Sequence, residues 1–256
     1  MQKPRTAPIA LITGGSRGLG RSMALHLAQH GTDVIFTYRA AATEAAEVRK
    51  QIEALGRKAV ALPLDVMDSA SFEAFATQLA SELARTWQRK TFDYLVNNAG
   101  TGLHASISET TVAQLDEVYQ IHFKAPFLLT QRLLPLIADG GRILNVSSGL
   151  ARFAIPGSSA YGAMKGAVEV FTRYLAKELG PRRISANVIA PGAIATDFSG
   201  GAVRDNPELN RAVSAMTALG RVGLPDDIGG AVAMLLAPES AWLNGQRIEV
   251  SGGMNL

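Results

Sequence analysis

The chain has 256 residues, 47% hydrophobic and 18% charged, a balance that suits one globular domain with a sizeable core and excludes a disordered or fibrous protein. It contains no cysteine, and its histidines (His26, His30, His104 and His122) lack metal-ligand spacing, so disulfides, thiolate chemistry and a bound metal are not expected. A net charge of +3 from scattered Lys and Arg offers no basic stripe for nucleic acid, and no run of about 18 apolar residues is there to span a membrane.

Residues 1–15, MQKPRTAPIALITGG, hold too short an apolar stretch before the glycines for a secretory signal, which predicts a cytoplasmic protein. Short runs rich in Val, Ile and Leu then recur at 9–13, 33–38, 58–66, 92–100, 141–148, 184–192 and 246–252. Segments of helical composition separate them at 20–30, 41–55, 69–86, 111–138, 159–179 and 226–237. This alternation predicts βαβ units, an α/β fold with a buried parallel sheet and helices on both faces. No repeat and no low-complexity linker divides the chain, so 1–256 is read as a single domain.

The first strand runs through ITGGSRGLG into an amphipathic helix. In that setting Gly14 permits the tight turn, Gly18 lets backbone N–H groups approach a phosphate, and Gly20 lets helix and strand pack closely. The predicted ligand is a dinucleotide whose pyrophosphate lies over the helix start; the Lys-Ser/Thr ending of a P-loop is absent. The second strand ends FTYRA, with Arg39 at its tip and no acid to take a ribose 2′-hydroxyl. Arg17, inside the turn, can close on the same group, so the two arginines predict a 2′-phosphate and hence NADP(H).

In residues 160–171, AYGAMKGAVEVF, Tyr161 and Lys165 share a helix face one turn apart. A neighbouring ammonium favours the phenolate, which draws the tyrosine from its reference pKa of about 10 toward neutrality. A tyrosine so tuned gives a proton to a carbonyl oxygen or takes one from an alcohol. A strand-end hydroxyl, Ser147 or Ser148, is placed to hold that oxygen. Gly162 and Gly166 each cost the helix about 1 kcal/mol against alanine, and they share a face where a cofactor, strand or partner helix must come close. Beyond this helix, the glycine-punctuated excursion at 195–225 is read as a substrate lid.

TGGSRGLG, NNAG at 97–100, NVSS at 145–148, YGAMK at 161–165 and PGAIATD at 191–197, in this order, resemble the short-chain dehydrogenase/reductase family over essentially the whole chain. The resemblance implies a doubly wound Rossmann-type domain with a seven-stranded parallel sheet. It places the family's general acid/base on Tyr161 and its lysine, which also binds the nicotinamide ribose, on Lys165. The family serine, thirteen residues before the tyrosine, falls on Ser148. The acidic residue that meets adenine falls on Asp65, with Val66 beside it. Asn97, Ala99 and Gly100 match the segment lining the cofactor, and Pro191, Gly192, Ile194 and Thr196 match its nicotinamide side. With Gly14, Ser16, Arg17, Gly18, Leu19, Gly20, Tyr38, Arg39, Tyr161 and Lys165, these residues form the candidate cofactor site.

One position departs from the pattern. VYQIHFKAPF has His122 where the family usually has an asparagine that supports a proton relay through water and lysine. Histidine has nitrogens able to serve that relay, with a pH dependence of its own at about 6–7, or it fills space as a core residue. The substrate walls are predicted from Leu103, His104, Leu150, Phe153, Ile155 and Phe198, a mostly apolar set. The whole is similar to 3-oxoacyl-carrier-protein reductases and related reductases of ketones, sugars and xenobiotics. A carrier-protein partner would meet a basic rim, for which Arg152 and Arg204 are candidates. The resemblance further implies a homotetramer and carbonyl–alcohol interconversion, with a non-enzymatic NADP-binding sensor or scaffold as the alternative.

Overall fold

The computed structural model describes residues 7–256. Among them, β1 (Ile9–Ile12), β2 (Asp33–Tyr38), β3 (Ala59–Pro63), β4 (Phe92–Asn97), β5 (Ile137–Val146), β6 (Ser185–Pro191) and β7 (Arg247–Val250) build one seven-stranded sheet. The strand order is β3-β2-β1-β4-β5-β6-β7 and every pairing is parallel, so each connection must cross a face of the sheet. The crossings are made by α1 (Gly18–Gln29), α2 (Ala42–Ala54), α3 (Phe72–Trp87), α4 (Val112–Tyr119), α5 (Ala125–Leu133) and α6 (Ser159–Glu178). After β6 come α7 (Ala202–Asp205), α8 (Pro207–Ala215) and α9 (Pro225–Leu236).

Successive strand residues alternate between two cores. Ile9, Leu11, Ile35, Leu95 and Ile143 pack with Leu79 and Leu83 of α3, Leu129 and Leu133 of α5, and Leu175 of α6. Ala10, Ile12, Val34, Phe36, Val96 and Leu144 pack on the other side with Met23 and Leu27 of α1, Val48 and Ile52 of α2, and Val232 and Leu236 of α9. With both faces covered, the strands need no polar side, which explains why they read in the sequence as unbroken apolar runs. The result is a doubly wound Rossmann-type α/β fold. Its strand order reverses between β1 and β4, whose carboxyl ends open the crevice in which such sheets bind ligands. No helix among the described residues is long and apolar enough to cross a membrane.

The expected strands all form, although 58–66 and 92–100 overrun the ladders, which end at Pro63 and Asn97. The expected helix at 111–138 does not run unbroken. A capping box of Thr111 and Gln114 starts α4, Gln120–Lys124 widens into a π turn, and Ile137 already pairs with Phe92 in the sheet. Pro126, next in the chain, has no N–H for the carbonyl of His122 four residues back, so the regular ladder is already broken here. Ala125 N reaches Gln120 O instead, and the turn opens by one residue.

Gly20 is the tightest joint of β1 and α1. A Cβ there would overlap the carbonyl oxygen of Gly14 and stand 2.7 Å from Asn98 Nδ2. Gly20→Ala should therefore lower stability by about 1–3 kcal/mol, read as a lower denaturant midpoint with an unchanged m value.

Candidate functional site

The glycine turn is fixed from two sides. Gly14 N donates to Thr37 Oγ1 at 3.1 Å and Gly15 N to Thr37 O at 2.8 Å, tying the turn to β2. Asn98 Nδ2 donates to Thr13 O at 2.9 Å and Gly14 O at 3.2 Å, while Thr13 Oγ1 accepts from Asn98 N and Ala99 N. Thr13, Thr37 and Asn98 were not among the residues singled out from sequence; the second asparagine of NNAG was their one visible sign. Gly14 and Gly18 have φ of +69° and +55°, the left-handed region that favours glycine.

No side chain caps α1 and its first turn holds no acid, so its leading N–H groups are left for an anion. A Cβ on Gly18 would come 3.8 Å from the Thr196 side chain, so glycine keeps open the gap between the turn and the segment after β6. The exposed Arg17 and Arg39 side chains make no ion pair or hydrogen bond among the described residues, which leaves both guanidinium groups for a phosphate. Ser16 is buried in the turn, Leu19 packs against the core below α1, and half-buried Tyr38 ends β2 beside Arg39. These features fit a dinucleotide carrying an extra phosphate.

At the β3 end, exposed Asp65 accepts from Met67 N at 2.9 Å, and Val66 shares a cleft with Asn97, Ala99 and Ile121. Asn97 turns its amide inward: Nδ2 donates to Thr130 Oγ1 at 3.0 Å and to Asn145 Oδ1 at 2.8 Å. Asn145 Nδ2 passes the chain to Thr172 Oγ1 of α6 at 2.8 Å. This buried polar line crosses beneath the site and ties β4, β5 and α6 together. Gly100 is exposed, and a Cβ on it would strike the His122 ring. On the far side, Pro191 ends β6, Gly192 lets the chain pass Ser251, where a Cβ would stand 2.9 Å from its Cα, and Ile194 bridges to Gly223.

At the reactive end, the two serines part company. Ser147 Oγ donates to Glu169 Oε1 at 2.6 Å and is thereby occupied. Ser148 is extended and caps the short turn Gly149–Ala151, its Oγ accepting from Leu150 N at 3.2 Å. Its hydroxyl bears on Tyr161 and pulls the phenol down, against burial, which pushes it up further. Lys165 Nζ lies 5.4 Å from the centre of the Tyr161 ring and donates to Val146 O at 2.8 Å.

The expectation that Lys165 draws the phenol toward neutrality is not met. Burial holds the Tyr161 phenol well above its ordinary 10, and the same burial lowers Lys165 from 10.5 to about 7. Desolvation penalises a phenolate and an ammonium alike, so the lysine loses part of the charge it would exert. His122 is corrected in the same way. Its Nε2 sits 2.8 Å from Thr101 O, which makes Nε2 the protonated nitrogen of a neutral ring. Burial, helped by the Lys165 charge, lowers it to about 3, so it has no titration near neutrality. Nδ1 is buried without a partner, and the ring stands edge-on to Tyr161 at 5.0 Å between centres.

Gly162 answers for its place in α6, since a Cβ would stand 2.9 Å from Leu150 O; Gly166 meets nothing within 4 Å. Half-buried Leu103 and exposed His104 lead into a contact in which His104 packs where a Cβ of Gly157 would be, and Ala105 N donates to Gly157 O at 2.9 Å. Phe198 stands 6.1 Å from the Tyr161 ring, centre to centre. The 195–225 excursion is more regular than expected, holding α7 and α8 behind a left-handed run of Ser199, Gly200 and Gly201. Neither rim arginine is free. Arg204 pairs with Asp197 and Asp205, and Arg152 grips Glu249 at 2.8 and 2.9 Å together with the carbonyls of Met254 and Asn255.

A family model described as enoyl-(acyl carrier protein) reductase matches residues 14–255. The hydroxynaphthalene reductase-like protein Arp2 of Metarhizium brunneum is 35% identical over 256 residues, covering 96% of this chain and 94% of that protein. The tetrahydroxynaphthalene reductase PfmaG of Pestalotiopsis fici is 34% identical, covering 98% and 92%. Among solved structures, the promiscuous reductase LugOII, described as catalysing keto-reduction at C1 in lugdunomycin biosynthesis, superposes with a TM-score of 0.91 at 39% identity over 97% of each chain. The angucycline C-6 ketoreductase LanV with bound NADP gives 0.92 at 36% identity, over 97% of this chain and 95% of LanV.

The neutral state of His122 has a thermodynamic consequence. Its pKa is about 3 when folded and 6.5 when free, so between these values the unfolded chain binds the extra proton. Stability is then lost as pH falls from 6.5 toward 3. Replacing His122 with Asn should flatten that part of the stability curve, measured by urea unfolding at a series of pH values.

Proposed function

The chain belongs to the short-chain dehydrogenase/reductase family, and from that premise we propose that it is an NADPH-dependent carbonyl reductase with Tyr161 as general acid. The observation that carries this reading is a buried phenol, kept in its proton-bearing form, with the Ser148 hydroxyl beside it and Lys165 one turn along α6. When bound, the cofactor supplies the hydride. The residues of the chain do the rest. The glycine turn and the α1 start hold the pyrophosphate, and Arg17 and Arg39 hold the 2′-phosphate. Ser148 Oγ donates to the carbonyl oxygen, and Tyr161 Oη gives that oxygen its proton as negative charge gathers there. Lys165, lowered to about 7, can release a proton near neutral pH to restore the phenol. His122 Nδ1 is an acceptor able to hold a donor on this relay in place of the family's asparagine.

Reduction is the proposed direction, in keeping with the reductases and ketoreductases to which the chain is similar. The apolar walls favour a ketone on a flat aromatic skeleton, in keeping with the naphthalene and angucycline substrates named for the relatives. The internal pairing of Arg152 and Arg204 favours a free small molecule over a carrier-bound one. The segment 195–225 is the proposed lid of a single catalytic domain, with Phe198 closing over Tyr161. A homotetramer is proposed because α4 and α6 leave Val112, Leu115, Val170 and Tyr174 exposed for one interface and the C-terminal segment leaves Leu256 exposed for a second; sedimentation velocity would test it.

Tyr161→Phe should lower kcat for ketone reduction by about 10²- to 10⁴-fold while NADPH still binds, followed by cofactor oxidation and by fluorescence titration. Wild-type protein that binds NADPH yet oxidises none of it with aromatic ketones, quinones or β-keto esters would instead identify a sensor. Arg39→Asp should raise the KM for NADPH at least roughly tenfold, a loss of about 1.4 kcal/mol, and leave the KM for NADH level or lower.

A further inference from the structure

Ser148 needs something to hold its peptide plane. The residue after it is Gly149, whose backbone freedom does not fix the orientation of the Ser148 carbonyl. That carbonyl accepts from Ala151 N at 3.2 Å in the short turn. A second donor comes from the far edge of the sheet: Arg247 of β7 reaches it with Nη2 at 3.2 Å.

The same guanidinium makes two further contacts. Nε donates to Glu169 Oε1 at 2.8 Å, and this oxygen also accepts Ser147 Oγ at 2.6 Å. Nη1 donates to Glu249 Oε2 at 2.9 Å. Glu169 lies one turn beyond Lys165 on α6, so a single planar fork touches the segment after β5 that carries both serines, the helix carrying Tyr161, and its own strand. Glu249 then passes the contact to Arg152 of the substrate loop, at 2.8 and 2.9 Å. Two cations alternate with two carboxylates, so the chain of ion pairs carries no net charge. Arg247 and Glu249 are about one-fifth exposed, and water can satisfy what a substitution leaves behind.

We propose that Arg247 is a positioning residue for the reductase reaction, acting through the Ser148 carbonyl to aim Ser148 Oγ at the oxygen that Tyr161 protonates. The inference rests on the reading of Ser148 and Tyr161 given above. A lysine could replace the charge but not the three-way fork, because one ammonium on a flexible stem cannot hold a backbone carbonyl and two carboxylates in one plane. A small misalignment at the hydroxyl matters because its hydrogen bond must form to the oxygen of the transition state.

The test is a double-mutant cycle on the full chain, with 1-tetralone and menadione as probe substrates and NADPH as reductant. Arg247→Gln should lower kcat about tenfold to a hundredfold, with the NADPH Kd and the substrate KM each within about threefold and Tm within about 4 °C. Arg247→Lys should recover little of the loss. In a Ser148→Ala background, Arg247→Gln should cost nothing more, because the group it aims is gone. Losses that multiply, or an Arg247→Gln enzyme as fast as wild type, would overturn the proposal. If Arg247→Gln does not fold, Arg247→Lys takes its place in the cycle with the same two outcomes. Tyr161→Phe serves as the reference. If it is as active as wild type, the reading of the site fails and the inference with it; if it is inactive while Arg247→Gln is not, the inference alone fails.

Discussion

A phenol and an amine are buried together at the carboxyl edge of the sheet, and burial shifts the proton affinity of each away from its value in water. Burial sets both. It keeps the proton on Tyr161 and weakens its hold on Lys165, and it strips His122 of any charge near neutrality. The three groups are therefore graded by desolvation rather than by mutual attraction. The proposed reduction needs an acid that arrives loaded, and a buried phenol does. It also needs a proton source behind that acid, and an amine lowered to about 7 releases its proton where a surface lysine would not.

That grading depends on the doubly wound fold. A parallel sheet covered on both faces brings the ends of β1, β4, β5 and β6 to one edge, where loops from distant parts of the chain meet. The polar line from Thr130 through Asn97 and Asn145 to Thr172 fastens α5, β4, β5 and α6 beneath that edge. Buried polar groups in such a line are costly unless paired, and pairing fixes one arrangement. Tyr161 and Lys165 thus sit on a helix that this line fastens to the sheet, with Asn97 Oδ1 the atom of the line buried without a partner.

Much of this was legible in the sequence. Apolar runs separated by helical segments gave the sheet, because strands buried on both sides cannot alternate. The glycine turn was readable because left-handed backbone at Gly14 and Gly18 demands glycine. What escaped was decided by three-dimensional surroundings. Spacing puts Tyr161 beside Lys165, but how dry they are depends on what packs over them, His122 and Phe198 among it, which no local pattern reports. Ser147 and Ser148 look alike until Glu169 claims one of them. Arg152 and Arg204 look free until their carboxylates are found, one of them 97 residues away. Pro126 was a visible sign of the break at His122, and the helical composition around it hid the signal.

The glycines of α6 show how one helix answers to two neighbours. Gly162, Gly166, Val170 and Tyr174 follow one another at four-residue steps, so they form one row along the helix. At its first position the row meets the Leu150 carbonyl, and only a residue without a Cβ lets the Gly149–Ala151 turn lie that close to α6. At its last positions it is exposed, with Val170 44% and Tyr174 63% accessible. Gly166 lies between, and a Cβ added there would meet nothing within 4 Å among the described residues. A small residue leading into an exposed apolar stripe is what close packing of a second helix requires, since backbones approach most closely where side chains are shortest. The helix loses intrinsic stability at one glycine to let the Gly149–Ala151 turn pack against it. The loss at the other becomes intelligible if the same row continues into a contact between copies of the chain.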